Sequence, residues 1–121
     1  MPATRHLEPS AAEATLHRGK GVEQLLHADR GTVAWLTIVA KRDGGFVLSL
    51  HRVVDVGSPD FRDVTEFPPI DEEEYPGEGR EVGTFDDAEQ ALRAAAAFGA
   101  VAERWVNEGL IDAEYSTARG F

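Results

Sequence analysis

The chain has no cysteine, and that absence excludes disulfide bonds, thiolate metal sites and cysteine nucleophiles. It also lacks a run of about 18 or more apolar residues, which a membrane-spanning helix needs. Its first residues contain no apolar stretch like that of a secretory signal peptide. We therefore expect a cytoplasmic protein with no membrane partner.

Positive charge is scarce in one part of the chain. Residues 60–89 hold 12 acidic residues against two basic ones, whereas the remaining residues hold ten of each. The formal net charge of −10 therefore arises in this segment alone. A surface polarised in this way indicates either a cationic partner or a solvated loop.

Length and composition predict one folded domain. The 121 residues, 42% apolar and 28% charged, are enough to bury one core and are too apolar for a disordered chain. We expect the domain to span residues 10–111. Residues 1–9 and 112–121 are predicted to be a flexible N-terminus and a flexible tail.

The strongest local pattern is a β-hairpin. Two runs rich in β-branched and aromatic residues, 32–42 and 46–56, flank the turn sequence Asp43-Gly44-Gly45. The first run is apolar on both faces. That pattern indicates either a central strand covered on both sides or a sheet face buried against a second subunit.

Further strands are predicted after the hairpin. Alternation of apolar and polar residues favours a third strand at 61–67 and a short fourth strand at 80–85. Between them, residues 70–79 carry acids, prolines and glycines, so we expect an exposed and mobile loop.

A first helix is predicted before the hairpin. Ser10 and Glu13 have the spacing of a capping box, so the helix begins there. Gly19 and Gly21 interrupt it, and it resumes over residues 22–28.

A second helix is predicted after the last strand. Asp86 and Glu89 form another capping pair, and apolar residues at helical spacing continue from there to Val106, with Gly109 in the closing position. This predicts one long helix of about 22 residues, or about 33 Å.

These elements predict an α+β fold: an antiparallel β-meander of three or four strands with an N-terminal helix and one long C-terminal helix packed on one face of the sheet, in the order α-β-β-β-(β)-α. Double-stranded RNA binding domains share this order, but their second helix opens with basic residues. Here it opens with Asp86, Asp87 and Glu89, so we exclude that function.

The candidate interaction site lies in the acidic loop. Its residues are four consecutive acids and an aromatic anchor: Asp71, Glu72, Glu73, Glu74 and Tyr75. Consecutive acids lack the alternating spacing of a calcium loop, so we predict no metal site. Exposed carboxylates around one apolar anchor suit docking of a basic protein.

An alternative site for single-stranded nucleic acid lies on the hairpin. Trp35 offers a ring for base stacking, and Lys41, Arg42 and Arg52 offer positive charge near one end of the hairpin. The simpler interpretation is that Trp35 belongs to the core or to an interface.

No residue pattern in the chain indicates catalysis or a cofactor. A histidine–carboxylate pair suited to base catalysis would arise if His51 met Asp55, but a strand histidine is more often structural. The apolar faces of the first strand, and the smooth flank of Ala94–Ala97, favour self-association. The sequence therefore predicts a non-enzymatic protein–protein interaction module that acts as a homodimer, with single-stranded nucleic-acid binding as the alternative.

Overall fold

The computed structural model describes residues 5–121, and residues 1–4 of the expected flexible N-terminus lie outside that range. The strands are β1 (Val22–Asp29), β2 (Thr32–Ala40), β3 (Phe46–Val54), β4 (Arg80–Phe85) and β5 (Val106–Asn107). The helices are α1 (Pro9–His17), α2 (Ala88–Ala94) and α3 (Ile111–Arg119), with short 3₁₀ helices at Val64–Glu66 and Ala95–Phe98. No helix within residues 5–121 has both the length and the apolar character that crossing a bilayer requires.

The strands form one antiparallel sheet in the order β4-β3-β2-β1-β5. With α1 before it, this sheet confirms the predicted α+β class. The hairpin of β2 and β3 is confirmed, with Thr32 opposite Val54 at its open end. At the turn, the Lys41 N–H donates to the Gly45 carbonyl over 2.9 Å. The predicted fourth strand is also present, as β4.

β1 occupies residues that we predicted as the continuation of the first helix, so that part of the prediction is wrong. The chain leaves α1 at Gly19, whose left-handed φ of 84° favours glycine. Val22 and Gln24 are then buried while Glu23 between them is half-buried. This two-residue period of burial is that of a strand.

Both helix starts differ from the predicted capping boxes. α1 has Glu8 rather than Ser10 at its N-cap, and the Glu8 side chain makes no capping hydrogen bond. The proline that follows starts the helix, because its fixed φ suits the first turn. At α2 the N-cap is Asp87 rather than Asp86, and its carboxylate accepts a hydrogen bond from the Gln90 N–H over 2.8 Å.

The predicted third strand at 61–67 is absent, because a local turn competes with it. The Asp63 carboxylate accepts hydrogen bonds from the Thr65 N–H over 3.1 Å and from the Thr65 hydroxyl over 2.6 Å. These bonds fold the segment into a 3₁₀ turn. Val64 and Phe67 are both fully buried, so the segment packs at a three-residue spacing.

The predicted long C-terminal helix does not form. α2 passes into a 3₁₀ helix that ends at Gly99, where a φ of 103° reverses the chain. Trp105 and Val106, which we assigned to the helix, lie at the sheet edge: Val106 pairs with β1, and Trp105 forms a bridge with Leu7. Apolar residues of α2 and of the segment around β5 thus belong to one core. Their spacing along the sequence happens to match a helical period, although they lie in separate elements.

Each face of the sheet is covered by this chain, so the helices lie on both faces and not on one. α1 and α2 cover one face, where the buried residues are Ala12, Leu16, Val22, Leu36, Ile38, Phe46, Leu48, Ala88, Ala91, Ala95 and Trp105. α3 and the segment 61–67 cover the other, where the buried residues are Val33, Trp35, Val53, Val64, Phe67, Ile111 and Tyr115. β2 is therefore a central strand whose two apolar faces are satisfied within one molecule.

α3 lies in the residues that we predicted to be a flexible tail. Its Tyr115 is fully buried, and the Tyr115 hydroxyl donates to Asp55 over 2.5 Å. Asp55 follows β3 and also accepts from the Gly57 N–H over 2.9 Å and pairs with Arg119. Burial opposes the charge of Asp55, but these three partners hold its pKa below the ordinary value. The cluster fastens α3 to the end of β3.

We predict that Gly57→Ala destabilises the fold at this cluster. A Cβ on Gly57 would lie 1.8 Å from the Tyr115 hydroxyl oxygen and 2.9 Å from the Phe67 ring, and both rings are fully buried. We expect the free energy of unfolding, measured by urea titration, to fall by about 1–3 kcal/mol. The neighbouring Val56→Ala, at a side chain that is 46% exposed, is the control. An equal loss in both variants would contradict the prediction.

Candidate functional site

The predicted acidic interaction site lies on a loop that starts at the edge of the sheet. Residues 68–70 run beside the end of β3: the Val54 N–H donates to the Pro68 carbonyl over 2.8 Å, and the Ile70 N–H donates to the Arg52 carbonyl over 3.1 Å. The loop therefore leaves from a fixed position next to β3, on the side of the sheet where β4 also lies.

Asp71 is a structural member of this loop. Its carboxylate accepts a hydrogen bond from the Glu73 N–H over 3.0 Å and pairs with Arg80 over 2.8 Å. These two partners, the Glu73 N–H first, hold the pKa of Asp71 below its ordinary value. Of the other predicted residues, Glu74 is half-buried and Glu72 and Glu73 are exposed.

Tyr75 is the most exposed of the large apolar residues in the loop. Its side chain is 71% exposed, although an aromatic ring in a folded protein usually buries most of its surface. Together with Glu72 and Glu73 it forms a short surface segment of two acids and a ring. All three of these predicted residues are therefore on the surface.

The residues of the alternative nucleic-acid site are not brought together. Trp35 is 1% exposed and lies in the core, so its ring offers no face to a base. Lys41 and Arg42 are exposed at the hairpin turn. Arg52 lies six residues along β3 from Phe46, about 20 Å from that turn, and its charge acts on Asp71 instead.

His51 is a buried structural residue. Its ring stacks on Trp35 with centroids 4.7 Å apart and planes inclined by 4°, and its Nε2 lies 3.2 Å from the Thr37 hydroxyl. Gly79 closes over it, because a Cβ there would lie 2.6 Å from His51 Nδ1. Burial lowers the pKa of His51 to about 4, so the ring is neutral at physiological pH. Asp55 is bonded to Tyr115 and Arg119 instead.

A cleft of about 540 Å³ lies at the opposite edge of the sheet, beside β1, and sequence reasoning did not find it. The outer edge of β1 beyond Glu23 forms one wall, and β5 pairs only with Val22 and Glu23. α3, the segment 99–104 and residues 5–6 form the other walls. Its polar lining includes Arg5, His6, Gln24, His27, Arg104 and Glu114.

Glu114 ties the N-terminal segment to α3 within this cleft. Its side chain is 8% exposed, and its carboxylate oxygens lie 2.8 Å from Arg5 Nε and 2.7 Å from His6 Nε2. Arg5 also donates from Nη2 to the Ala113 carbonyl over 3.0 Å and to the Thr117 hydroxyl over 2.6 Å. An arginine and a histidine side chain thus contact one buried carboxylate.

Gln24 holds the segment 99–104, another wall of the cleft, against β1. Its amide donates to the Val101 carbonyl over 2.9 Å and accepts from the Val101 N–H over 2.6 Å, so one side chain replaces a strand neighbour of β1. Glu23, the preceding residue, accepts from the N–H groups of Gly109 and Ile111 and so holds the start of α3. Burial raises the pKa of Glu23 despite those two bonds. Side chains of β1 therefore hold both the segment 99–104 and the start of α3 in place.

No local motif in the sequence could have indicated this cleft. Its polar residues come from the N-terminus, β1, the segment after α2, and α3, and they are more than 100 residues apart at the extremes. Arg5 and Glu114 also lie in segments that we predicted to be flexible. Only the topology brings them together.

We predict that His51 makes stability depend on pH. The unfolded chain has the ordinary histidine pKa of 6.5 and the folded chain one of about 4, so only the unfolded state gains a proton between these values. The stabilisation is complete above pH 6.5 and is lost as the pH falls toward 4, by up to about 3 kcal/mol. Urea titrations across this range on wild type and His51→Gln, which keeps a hydrogen-bonding group beside Thr37, should give a flatter profile for the variant. Parallel profiles would contradict the assignment.

Comparison with protein-family models, with curated proteins and with solved structures finds no match for this chain. Its function is therefore inferred from its own residues and their geometry.

Proposed function

We propose that the protein is a non-enzymatic protein–protein interaction module that acts as a homodimer in the cytoplasm and docks a basic partner on its acidic loop. The observation that carries this proposal is the segment of Glu72, Glu73 and Tyr75, in which a ring that is 71% exposed lies among exposed carboxylates. Exposed aromatic rings of this kind are frequent anchors of protein interfaces.

The geometry of the loop supports docking. Asp71 is held by Arg80 at the start of the segment, and the loop leaves the sheet beside β3, so its backbone is partly ordered before any partner arrives. Pre-ordering reduces the entropy lost on association. The excess of carboxylates in residues 60–89 attracts a basic partner from a distance and raises the association rate.

The dimeric part of the proposal depends on β4. Both faces of β2 are covered within the chain, so they supply no surface for a second copy. β4 has β3 on one side and, among residues 5–121, no strand on the other. An unpaired strand edge of this kind supports pairing with the same strand of a second copy.

Single-stranded nucleic-acid binding has less support. The ring that would stack on bases, Trp35, is buried, and Arg52 lies far from Lys41 and Arg42. The proposal therefore predicts no detectable affinity for an oligothymidine at low salt.

We predict that the triple variant Glu72→Gln, Glu73→Gln, Glu74→Gln associates more slowly with a basic probe while its stability is unchanged. The probe is an oligolysine of about ten residues, measured by stopped-flow fluorescence at low and at physiological salt. We expect affinity to fall at least about threefold, because each exposed ion pair contributes about 0.2–1 kcal/mol. The wild-type affinity should also fall with salt, since exposed charges are screened within about 8 Å.

A matched control separates the loop from net charge. Glu8→Gln, Asp43→Asn, Glu103→Gln removes three exposed carboxylates outside residues 60–89. If this control weakens oligolysine binding as much as the loop variant does, net charge and not the loop determines association.

We predict a dimer in solution. Light scattering after size-exclusion chromatography should give about twice the chain mass of 13.2 kDa at micromolar concentration. The chain mass itself at that concentration would remove the homodimer from the proposal and leave the docking loop untouched.

A further inference from the structure

The cleft beside β1 carries positive charge in a protein whose net charge is −10. Two arginines, Arg5 and Arg104, and one carboxylate, Glu114, line it. Glu114 is 8% exposed and pairs with Arg5 over 2.8 Å, so these two charges compensate each other and Arg104 supplies the positive charge of the cleft. The acidic residues 60–89 contribute no lining residue to this cleft.

The arginines retain donors for a ligand. Arg104 is exposed and makes no ion pair within residues 5–121. Arg5 donates from Nε and Nη2, while its Nη1 makes no hydrogen bond to the described part of the chain. A guanidinium with free N–H groups matches the paired oxygens of a carboxylate or a phosphate.

The rest of the cleft is suited to an apolar body. Leu25, Leu26, Ala28 and Val101 line it beside the charged groups, and about 540 Å³ falls within the range of small-ligand sites. A peptide strand fits less well, because a β-bulge between Leu25 and His27 breaks the ladder of β1 at this point. The backbone of Val101 is already engaged by Gln24.

We infer that this cleft is a binding site for a small organic anion, a molecule with one carboxylate or phosphate on an apolar body. Arg104 and the Nη1 edge of Arg5 hold the anionic group, and the apolar residues of β1 hold the body. This site is separate from the proposed docking loop, which leaves the sheet beside β3, at the far side of the strand order from β1.

The test uses phenyl phosphate and benzoate as probes, each titrated into the full chain and followed by amide chemical shifts. We expect saturable shifts at residues 24–28 and 99–104 with at least one of the two probes, and the tighter probe identifies the preferred anionic group. Benzamide, the neutral counterpart of benzoate, should bind at least about fivefold more weakly than the anion, since charge-assisted hydrogen bonds are the stronger ones.

Variants identify the residues that act. Arg104→Ala should lower the affinity for the anionic probe at least about fivefold, because it removes a charged hydrogen-bond donor. It should leave the thermal midpoint of unfolding unchanged, because Arg104 is exposed. Arg42→Ala, which removes an exposed arginine at the hairpin turn, is the matched control and should leave the affinity unchanged. The inference is overturned if neither anion gives saturable shifts at the cleft, if benzamide binds as tightly as benzoate, or if Arg42→Ala weakens binding as much as Arg104→Ala.

Discussion

β2 is apolar on both of its faces, and the rest of the structure is arranged to cover it. One side of the sheet is closed by α1 and α2, and the other by α3 and the segment 61–67. Each large apolar side chain buried in this way contributes about 1.5–3 kcal/mol, so leaving either side open would remove several such contributions. The contact of Asp55 with Tyr115 completes the second cover, because it fastens α3 where β3 ends.

The same requirement explains which elements the sequence revealed. The β2–β3 hairpin was predictable because its turn and its strands carry strong local patterns, and β4 followed from alternation. The strand character of Val22–Asp29 and the break at Gly99 depend instead on tertiary pairing with β2 and β1. α3 was missed because its single buried aromatic, Tyr115, is stabilised by Asp55 from a distant part of the chain.

The two candidate sites differ in how far sequence could locate them. The acidic loop is continuous in sequence, so its composition alone was enough to locate it. Composition did not show that Asp71 is held in an ion pair with Arg80 while Tyr75 is exposed. The cleft is assembled from Arg5, Arg104 and Glu114, which share no local pattern. Single charged residues such as these can form a binding site only when folding places them together in a concave and partly apolar surface.

The bulge of β1 and the two hydrogen bonds between the Gln24 amide and Val101 also limit where a strand of another molecule could be added to the sheet. At that edge the ladder is interrupted between Leu25 and His27, and Val101 already occupies the bonding groups of Gln24. β4, whose own pairing with β3 shifts register between Leu48 and Ser49, has no strand on its other side among the described residues. Association through the β4 edges would therefore join like edges around a two-fold axis and stop at two copies, since the opposite edge, as residues 5–121 form it, is bulged in β1 and partly covered by β5 and Val101.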